Sequence, residues 1–496
     1  MVDLVVETTH GRVRGELRGA VAIWKAIPYA APPVGALRFR PPQPARPWPG
    51  ERDATRFGAA ALQTRDPRMV MMSGVSEKFP TGEDCLFLNV YAPAAEPPPP
   101  GDKRPVMVWI HGGAFVMGAG STPLYNGAAF AERGVIVVTL NYRLGVAGFL
   151  YLGDLAPGYE AGDCALLDQV AALRWVHDNI AAFGGDPGNV TVMGESAGAM
   201  SIGTLLAMPA ARGLFQRAIL ESGASALVPI TRADATKLAT KLVADLGVTV
   251  DQLADVPADR LVAAQEERSR TNGTGAFAPY VDGATVPRRP AELIREGSAA
   301  GIPLLLGSNR DEWTLFEVFV GPATVDAFKA PLRNRLGAVV DRLIEAHRDA
   351  RADRDEHRAW VDLIGDLVFR IPVIRLAEAQ SQLGTPVYAY RFDWASPTFN
   401  GKLGATHALE LPFVWNRLDL PTTAVLLGPD VAAAQPLATA MHETWVAFIT
   451  SGDPNGAGLP AWPRYDTSRR QTLVIDRESR VVEDPGGTSR ALWPEL

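Results

Sequence analysis

Cysteine is scarce in this sequence, and the histidines lack the spacing of metal ligands. Only Cys85 and Cys164 occur among 496 residues, which excludes a disulfide framework and favours a reducing compartment. Seven histidines are scattered along the chain without any CxxC or HExxH spacing, so the sequence gives no reason to propose a metal site or a cofactor. We therefore expect a cytoplasmic protein that needs neither.

Long apolar runs and an excess of positive charge are also lacking. No window holds the roughly 18 uninterrupted apolar residues of a transmembrane helix, and Asp3 and Glu7 stand where a signal peptide would have a basic and then an apolar run. The net charge of −7 offers no basic stripe that could neutralise phosphates. We expect no nucleic-acid or membrane partner, and a monomer or weak homo-oligomer.

What the sequence does contain is the composition of a globular protein, with 47% apolar and 21% charged residues. Short apolar, β-branched runs end in polar or glycine-rich turns. These runs are residues 105–110, 135–140, 190–193, 218–220 and 302–306. Because helical stretches separate them, they predict an α/β fold with a mostly parallel central sheet and helices on both faces.

The helical stretches include one clear helix and two long segments. In residues 166–183, apolar side chains recur at three- and four-residue spacing, and Gly184, Gly185 and Pro187 mark the end. Residues at about 225–295 and 320–385 break the strand rhythm, and we expect mainly helical insertions there, over the active site. Since no repeat or linker divides the chain, we predict a single domain over residues 1–496.

The motif with the clearest chemistry is Gly-x-Ser-x-Gly around Ser196. A predicted strand over residues 190–193 runs into Gly194, Ser196 and Gly198, and a helix-compatible stretch follows. A serine on such a tight turn has its hydroxyl exposed, and the glycines permit close packing. A Gly- and Ser-rich turn can also be purely structural, so this motif alone is only moderately specific.

A second motif makes a catalytic interpretation stronger. His111, Gly112 and Gly113 follow the apolar strand that ends at residue 110, and small residues there let backbone N–H groups approach a substrate carbonyl. With the N–H of Ala197 at the start of a helix, the N–H groups of Gly113 and Ala114 form a candidate oxyanion hole.

A serine nucleophile needs a histidine base, which in this fold follows the nucleophile and the acid along the chain. His347 and His357 lie in a charged amphipathic segment and His442 in an apolar helical run, so packing or solvation explains them. His407 instead lies in a loop after a predicted strand over residues 386–390. We predict His407 as the base.

Two candidates for the carboxylate that orients the histidine lie after the predicted strand that ends at residue 306. Asp311 and Glu312 both follow that strand, and from the residues alone either carboxylate could orient the histidine and stabilise its charged form. The other would then pair with Arg310 or another cation.

A resemblance to a known enzyme family covers nearly the whole chain. The residues that carry it are 25–35 (KAIPYAAPPVG), 83–93 (EDCLFLNVYAP), 108–115 (VWIHGGAF), 141–145 (NYRLG), 183–198 (FGGDPGNVTVMGESAG), 307–312 (GSNRDE), 407–414 (HALELPFV) and 452–455 (GDPN). By them the chain resembles the type-B carboxylesterases, most closely the bacterial para-nitrobenzyl esterases, which are similar to cholinesterases. The resemblance implies an α/β-hydrolase fold, Glu312 as the acid, and Glu195 and Ser222 as polar groups that support the triad.

Departures from the relatives concern the substrate pocket. In cholinesterases, the loop before the EDCL motif carries a tryptophan that holds the choline cation. Here the loop carries Met69, Met71 and Met72 but no tryptophan, so we expect no preference for choline esters. Trp313 stands where relatives have glycine, and we predict that its indole, with Phe316, lines the pocket. By the same resemblance, Phe277 matches an aromatic residue of the acyl pocket. Gly275, two residues earlier, suggests that the acyl pocket is roomier than in cholinesterases.

Together these features predict a serine carboxylesterase that hydrolyses neutral, fairly apolar small-molecule esters through an acyl-enzyme on Ser196. An amidase or carbamate hydrolase with the same triad is the nearer alternative, because fold does not settle substrate. A non-catalytic binding protein on the same scaffold is the more remote one, since such proteins generally lack part of the triad.

Overall fold

The computed structural model describes residues 4–63, 80–94, 103–225, 230–272, 276–351, 355–428, 431–456 and 458–495. The chain divides into two compact units, residues 1–219 with 229–298 and residues 220–228 with 299–496. The predicted single domain over residues 1–496 stays a prediction.

The described strands of the first unit extend from the N-terminal region to residue 281, and the last but two, β12, carries the chain into the second unit. They are β1 (Val5–Thr8), β2 (Gly11–Arg14), β3 (Glu16–Arg18), β4 (Val21–Pro28), β5 (Glu51–Asp53), β6 (Ala60–Ala61), β7 (Thr81–Gly82), β8 (Phe87–Pro93), β9 (Arg104–Ile110), β10 (Ile136–Leu140), β11 (Gly185–Glu195), β12 (Arg217–Glu221), β13 (Ile230–Thr231) and β14 (Tyr280–Val281). The described helices are α1 (Ala128–Glu132), α2 (Gly145–Phe149), α3 (Cys164–Asn179), α4 (Ala197–Leu205), α5 (Arg232–Leu246), α6 (Ala258–Asn272) and α7 (Pro290–Arg295).

The main sheet of the first unit runs in the order β11-β9-β10-β8-β4-β3. Strands β11, β9 and β10 are mutually parallel, whereas β10 with β8, β8 with β4 and β4 with β3 pair antiparallel. Residues 106–110 and 136–138 have no exposed surface, as expected for strands that are covered on both faces.

The second unit also contains mostly parallel strands. Its described strands after β12 are β15 (Leu304–Asn309), β16 (Val387–Phe392), β17 (Gln471–Ile475) and β18 (Arg480–Glu483). Strands β15, β16 and β17 are parallel neighbours, and β18 pairs antiparallel with β17. The described helices are α8 (Thr314–Val320), α9 (Ala323–Leu336), α10 (Val339–Ala350), α11 (Glu356–Gly365), α12 (Ile371–Gln382), α13 (Leu411–Val414), α14 (Pro421–Leu427), α15 (Val431–Ser451) and α16 (Gly487–Leu492).

Element ends differ from the sequence-based expectations for local reasons. The helix predicted over residues 166–183 is α-helical only to Asn179 and ends in a 3₁₀ turn, Ile180–Phe183, closed by Gly184 at φ 85°. Strand β15 extends past residue 306 to Asn309, because Asn309 pairs with Phe392 of β16. The charged segment predicted around residues 342–360 is divided between α10 and α11.

Candidate active site

Ser196 lies at the junction of a strand and a helix in the first unit. Strand β11 ends at Glu195 and α4 begins at Ala197, which leaves Ser196 alone between them. Its backbone has φ 56° and ψ −122°, a conformation that residues other than glycine rarely adopt. The first N–H groups of a helix have no acceptor within the helix. The N–H of Ala197 is therefore suited to donate a hydrogen bond to an oxygen atom from outside the helix.

The two motif glycines are required by the close approach of strand β9. A Cβ atom added to Gly198 would lie 2.0 Å from the carbonyl oxygen of Ile110, and one added to Gly194 would lie 2.7 Å from the same oxygen. The turn at Ser196 is therefore packed directly on the end of β9, a contact that only glycine allows.

The candidate oxyanion loop starts where β9 ends. In the parallel pairing of β9 with β11, Ile110 lies opposite Gly194, so both strands reach the same edge of the sheet together. A Cβ atom on Gly112 would lie 3.0 Å from the Cβ of Ser196, which places this loop beside the serine. Gly113 at φ 113° and Ala114 at φ 52° bend the loop sharply. Their role as oxyanion donors stays a prediction.

His111 supports this loop in a way that the motif did not reveal. Its Nδ1–H donates to the carbonyl of Gly112 at 2.8 Å, and its ring stacks on Tyr142 at 4.5 Å. The Tyr142 hydroxyl donates in turn to the carbonyl of His111 at 2.8 Å. Burial lowers the pKa of His111 to about 4, and the hydrogen bond to Gly112 opposes this only in part. The imidazole is therefore neutral at neutral pH.

The two predicted supporting groups are buried, one in each unit. Glu195 is 4% exposed, and its Oε2 would lie 2.8 Å from a Cβ on Gly112. Ser222 follows β12 with φ 50°, and its N–H donates to the carbonyl of Gly307 at 2.9 Å. That either supports a triad stays a prediction.

Glu312 and His407 form a buried pair in the second unit. The Nδ1–H of His407 donates to Oε2 of Glu312 at 2.6 Å, and the side chains are 5% and 2% exposed. The other carboxylate oxygen, Oε1, accepts the N–H of Asn309 at 2.7 Å. With the proton on Nδ1, the lone pair of the neutral ring is on Nε2, the nitrogen that a general base uses.

Asp311, the other candidate acid, has different partners. Its carboxylate binds the guanidinium of Arg310 at 2.8 Å and that of Arg351 at 2.6 Å, and it accepts the N–H of Ala405 at 2.9 Å. Burial favours its protonated form, but the two guanidiniums outweigh this and hold its pKa below the ordinary value. Asp311 therefore fastens the segment that precedes His407.

An aromatic cluster lies against the His407 side of this pair. Trp313, 7% exposed, has its ring 4.5 Å from Phe316, 5.2 Å from Phe328 and 6.4 Å from Phe369. Phe316 and Phe369 also contact the His407 ring, at 5.4 and 4.4 Å. That Trp313, Phe316 and the fully buried Phe277 line a substrate pocket stays a prediction.

The remaining histidines after Ser196 have ordinary partners. His347 lies 3.3 Å from Asp366, His357 hydrogen-bonds to Glu317 at 2.6 Å, and Nδ1 of His442 donates to the carbonyl of Val414 at 2.8 Å. Each thus has a polar partner other than Glu312.

Some expectations concern parts of the chain that the structure leaves undescribed, and others concern absent features. Met69, Met71, Met72 and Gly275 lie outside the described residues. Within the described ranges, no group of three or more His, Cys, Asp and Glu side chains could hold a metal ion. No helix in this part of the chain is long and apolar enough to cross a membrane.

Sequence reasoning missed the residues that support the pair from outside its motifs. Asn309 was visible only as part of the GSNRDE stretch, where its N–H has no signature of its own. Phe369 had no signal, because one aromatic residue in a helical insertion is indistinguishable from core packing.

A serine on a strained strand-to-helix turn, beside a glycine loop and on a chain that also holds a buried carboxylate–imidazole pair, is typical of the serine hydrolases. The chain belongs to the carboxylesterase family, since the model of that family matches residues 2–493. It is a carboxylic ester hydrolase of the serine esterase type with the α/β-hydrolase fold, and the predictions of family, fold and enzyme class are confirmed.

Individual relatives match over nearly their full length. The chain is 42% identical to the para-nitrobenzyl esterase of Bacillus subtilis, over 99% of this chain and 98% of the relative. It is 36% identical to the phenmedipham hydrolase of Pseudarthrobacter oxydans, over 96% of each. Among solved structures, a Geobacillus stearothermophilus carboxylesterase is similar with a TM-score of 0.88 at 41% identity, over 99% of this chain and 100% of that one.

Proposed function

We propose that Ser196, Glu312 and His407 are the catalytic triad of this esterase and that its substrates are neutral, fairly apolar carboxylic esters. The observation that carries the proposal is the buried Glu312–His407 hydrogen bond of 2.6 Å, which fixes the tautomer that a base requires. The strained turn at Ser196 supports the nucleophile.

In the proposed acylation step, Oγ of Ser196 attacks the ester carbonyl while Nε2 of His407 takes the hydroxyl proton. The carbonyl oxygen becomes negative and accepts hydrogen bonds from the N–H groups of Gly113, Ala114 and Ala197. The C–O bond then breaks, the proton on Nε2 passes to the departing alkoxide, and the alcohol leaves an acyl group on Ser196.

Deacylation repeats these steps with water as the nucleophile. His407 takes a proton from the water as it attacks the acyl carbonyl, and returns that proton to Oγ of Ser196 when the carboxylic acid leaves. Glu312 stays ionised in both steps and stabilises the imidazolium, so it is not itself consumed or protonated.

Aromatic residues support the apolar part of the proposal. Phe316 contacts both the proposed base and Trp313, and flat apolar side chains beside a catalytic histidine suit uncharged acyl or alcohol groups. We also propose a cytoplasmic location, which the two buried, unpaired cysteines support, and a monomeric or weakly associating protein.

The nucleophile is tested by Ser196→Ala with a matched control in the helix that follows it. We expect ester hydrolysis to fall by roughly 1,000-fold or more with the fold intact, because only oxyanion stabilisation and binding would remain. Ser201, buried in α4 and hydrogen-bonded to Gln169 at 3.1 Å, supplies the control: Ser201→Ala should retain activity. An organophosphate should label Ser196, and near-normal turnover in Ser196→Ala or labelling elsewhere would contradict the assignment.

The substrate class is tested with p-nitrophenyl esters of increasing acyl length beside matched anilides and carbamates. We expect kcat/KM to be highest for an uncharged ester. If an anilide or carbamate is turned over faster than every ester, the amidase or carbamate hydrolase alternative replaces this proposal.

A further inference from the structure

A wide turn connects two consecutive helices of the second unit next to the Glu312–His407 pair. Helix α11 ends at Gly365 and α12 begins at Ile371, and between them Asp366–Arg370 forms a π-helical turn in which the N–H of Ile371 donates to the carbonyl of Asp366. Such π-turns are rare in proteins, and those that do occur are frequently found at functional sites.

This turn and the residue just before it, Gly365, lie against the two members of the pair. The ring of Phe369, 2% exposed, lies 4.4 Å from the His407 ring at an interplanar angle of 34°. At the other end, a Cβ atom on Gly365 would lie 3.3 Å from the Cβ of Glu312 and 3.6 Å from the backbone nitrogen of Trp313. One short element thus limits where the acid and the base can lie.

A buried ion-pair network holds the turn in place. The Asp366 carboxylate accepts from Nε of Arg370 at 2.6 Å and from a second guanidinium nitrogen at 2.5 Å, so the first and last residues of the turn are joined. His347 of α10 lies 3.3 Å from the same carboxylate, and Ser489 of α16 accepts from Arg370 at 2.7 Å. Burial opposes the charge on Asp366, but Arg370 and His347 hold its pKa below the ordinary value.

We propose that the π-turn Asp366–Arg370, together with Gly365 immediately before it, is a positioning element of the catalytic apparatus, with Phe369 setting the His407 ring and Gly365 setting Glu312. The proposal rests on the proposed triad. Phe369 restricts rotation of the imidazole from its flat side, while Gly365 lets Glu312 approach to hydrogen-bond distance. Small displacements of such groups lower the rate of reaction much more than they alter substrate binding.

Gly365 gives the sharper test because its stability and activity effects should diverge. Its backbone is right-handed helical, at φ −57° and ψ −42°, so alanine suits the backbone and should leave the thermal midpoint unchanged or raised. The added methyl group would press on Glu312. In Gly365→Ala we therefore expect kcat to fall roughly 10-fold or more, with KM within about 3-fold of the wild-type value.

Phe369→Leu tests the other end against a matched control. Phe448, fully buried in α15 and packed on Tyr388, allows the same substitution away from the pair. We expect Phe369→Leu to lower kcat roughly 10-fold, Phe369→Tyr to restore most of it because the ring is kept, and Phe448→Leu to keep the wild-type kcat.

The low-field proton NMR signal of the His407 Nδ1–H supplies a readout that general packing would not move. Displacement of this signal in Gly365→Ala and Phe369→Leu, but not in Phe448→Leu, supports the proposal. Wild-type kcat and an unmoved signal in both variants would overturn it, as would an equal loss of kcat in Phe448→Leu. If Glu312→Gln and His407→Ala are inactive in those cases, the proposed triad stands; turnover by His407→Ala would overturn both proposals.

Discussion

At the scale of single residues, several of the unusual backbone conformations lie at or beside the catalytic candidates. Ala114, Ser196, Ser222 and Ala408 all have φ between 50° and 62°, although none is glycine. Such conformations cost of order 1–3 kcal/mol each and persist where the surrounding structure enforces them, commonly at functional sites. Ala114, Ser196 and Ser222 each follow a strand within four residues, and Ala408 follows His407 directly.

The two neighbouring carboxylates give a residue-scale prediction. Glu312→Gln should lower kcat by roughly 1,000-fold or more, because a neutral amide cannot stabilise the imidazolium. Asp311→Asn should leave kcat within about 10-fold and instead lower stability, since it removes the charge between Arg310 and Arg351. Steady-state kinetics and urea unfolding of both variants make the comparison. A larger kcat loss in Asp311→Asn, with both proteins folded, would transfer the role of acid to Asp311.

At the scale of elements, helix α8 brings aromatic side chains together beside the acid. Trp313 stands immediately before this helix and Phe316 lies within it, while Phe328 and Phe369 come from α9 and the π-turn. Residues distant in sequence thus form one aromatic cluster, of which Phe316 and Phe369 contact His407. Substitution here can change stability and specificity together, because the same rings pack on each other and on His407, the proposed base.

Trp313→Gly separates these two effects. Loss of a buried indole from contact with three phenylalanines should lower the free energy of unfolding by about 3–5 kcal/mol. If Trp313 also lines the substrate pocket, as the sequence suggests, the variant should accept longer acyl or alcohol chains. Urea unfolding and the chain-length profile of kcat/KM measure the two, with Trp313→Phe as the control. Reduced stability with a wild-type profile would leave Trp313 only a packing role.

At the scale of the whole molecule, burial of a titratable group couples folding to pH. His111 has a folded-state pKa of about 4, below its ordinary value of 6.5, so between these values the unfolded chain binds the proton more readily. Its stabilising contribution is complete above pH 6.5 and is lost as the pH falls toward 4, by up to about 3 kcal/mol.

The test compares the wild type with His111→Leu, which removes the titrating ring. We expect the free energy of unfolding in urea to fall less steeply between pH 7 and pH 4.5 in the variant, although the variant is less stable at pH 7. Parallel pH dependences in the two proteins would show that His111 does not couple folding to pH in this range.

The sequence determined much of this protein by itself. Buried β-branched runs at residues 106–110 and 136–140 specify parallel strands through hydrophobicity and propensity, which act locally. The glycines around Ser196 and at residues 112 and 113 mark the turn at Ser196 and its neighbouring loop, because only glycine fits such close backbone contacts. Family membership and enzyme class followed from these short motifs.

The tertiary structure alone decided what no local pattern encodes. Asp311 and Glu312 are adjacent and chemically alike, so the residues themselves left both open and only the resemblance favoured Glu312. The contacts come from the direction in which the chain turns after β15, which gives Glu312 to His407 and Asp311 to Arg310 and Arg351. Phe369 lies 38 residues before His407 in the chain, yet their rings are 4.4 Å apart. Such contacts depend on the packing of distant segments, whose geometry is set by the whole core rather than by the neighbours of any residue in sequence.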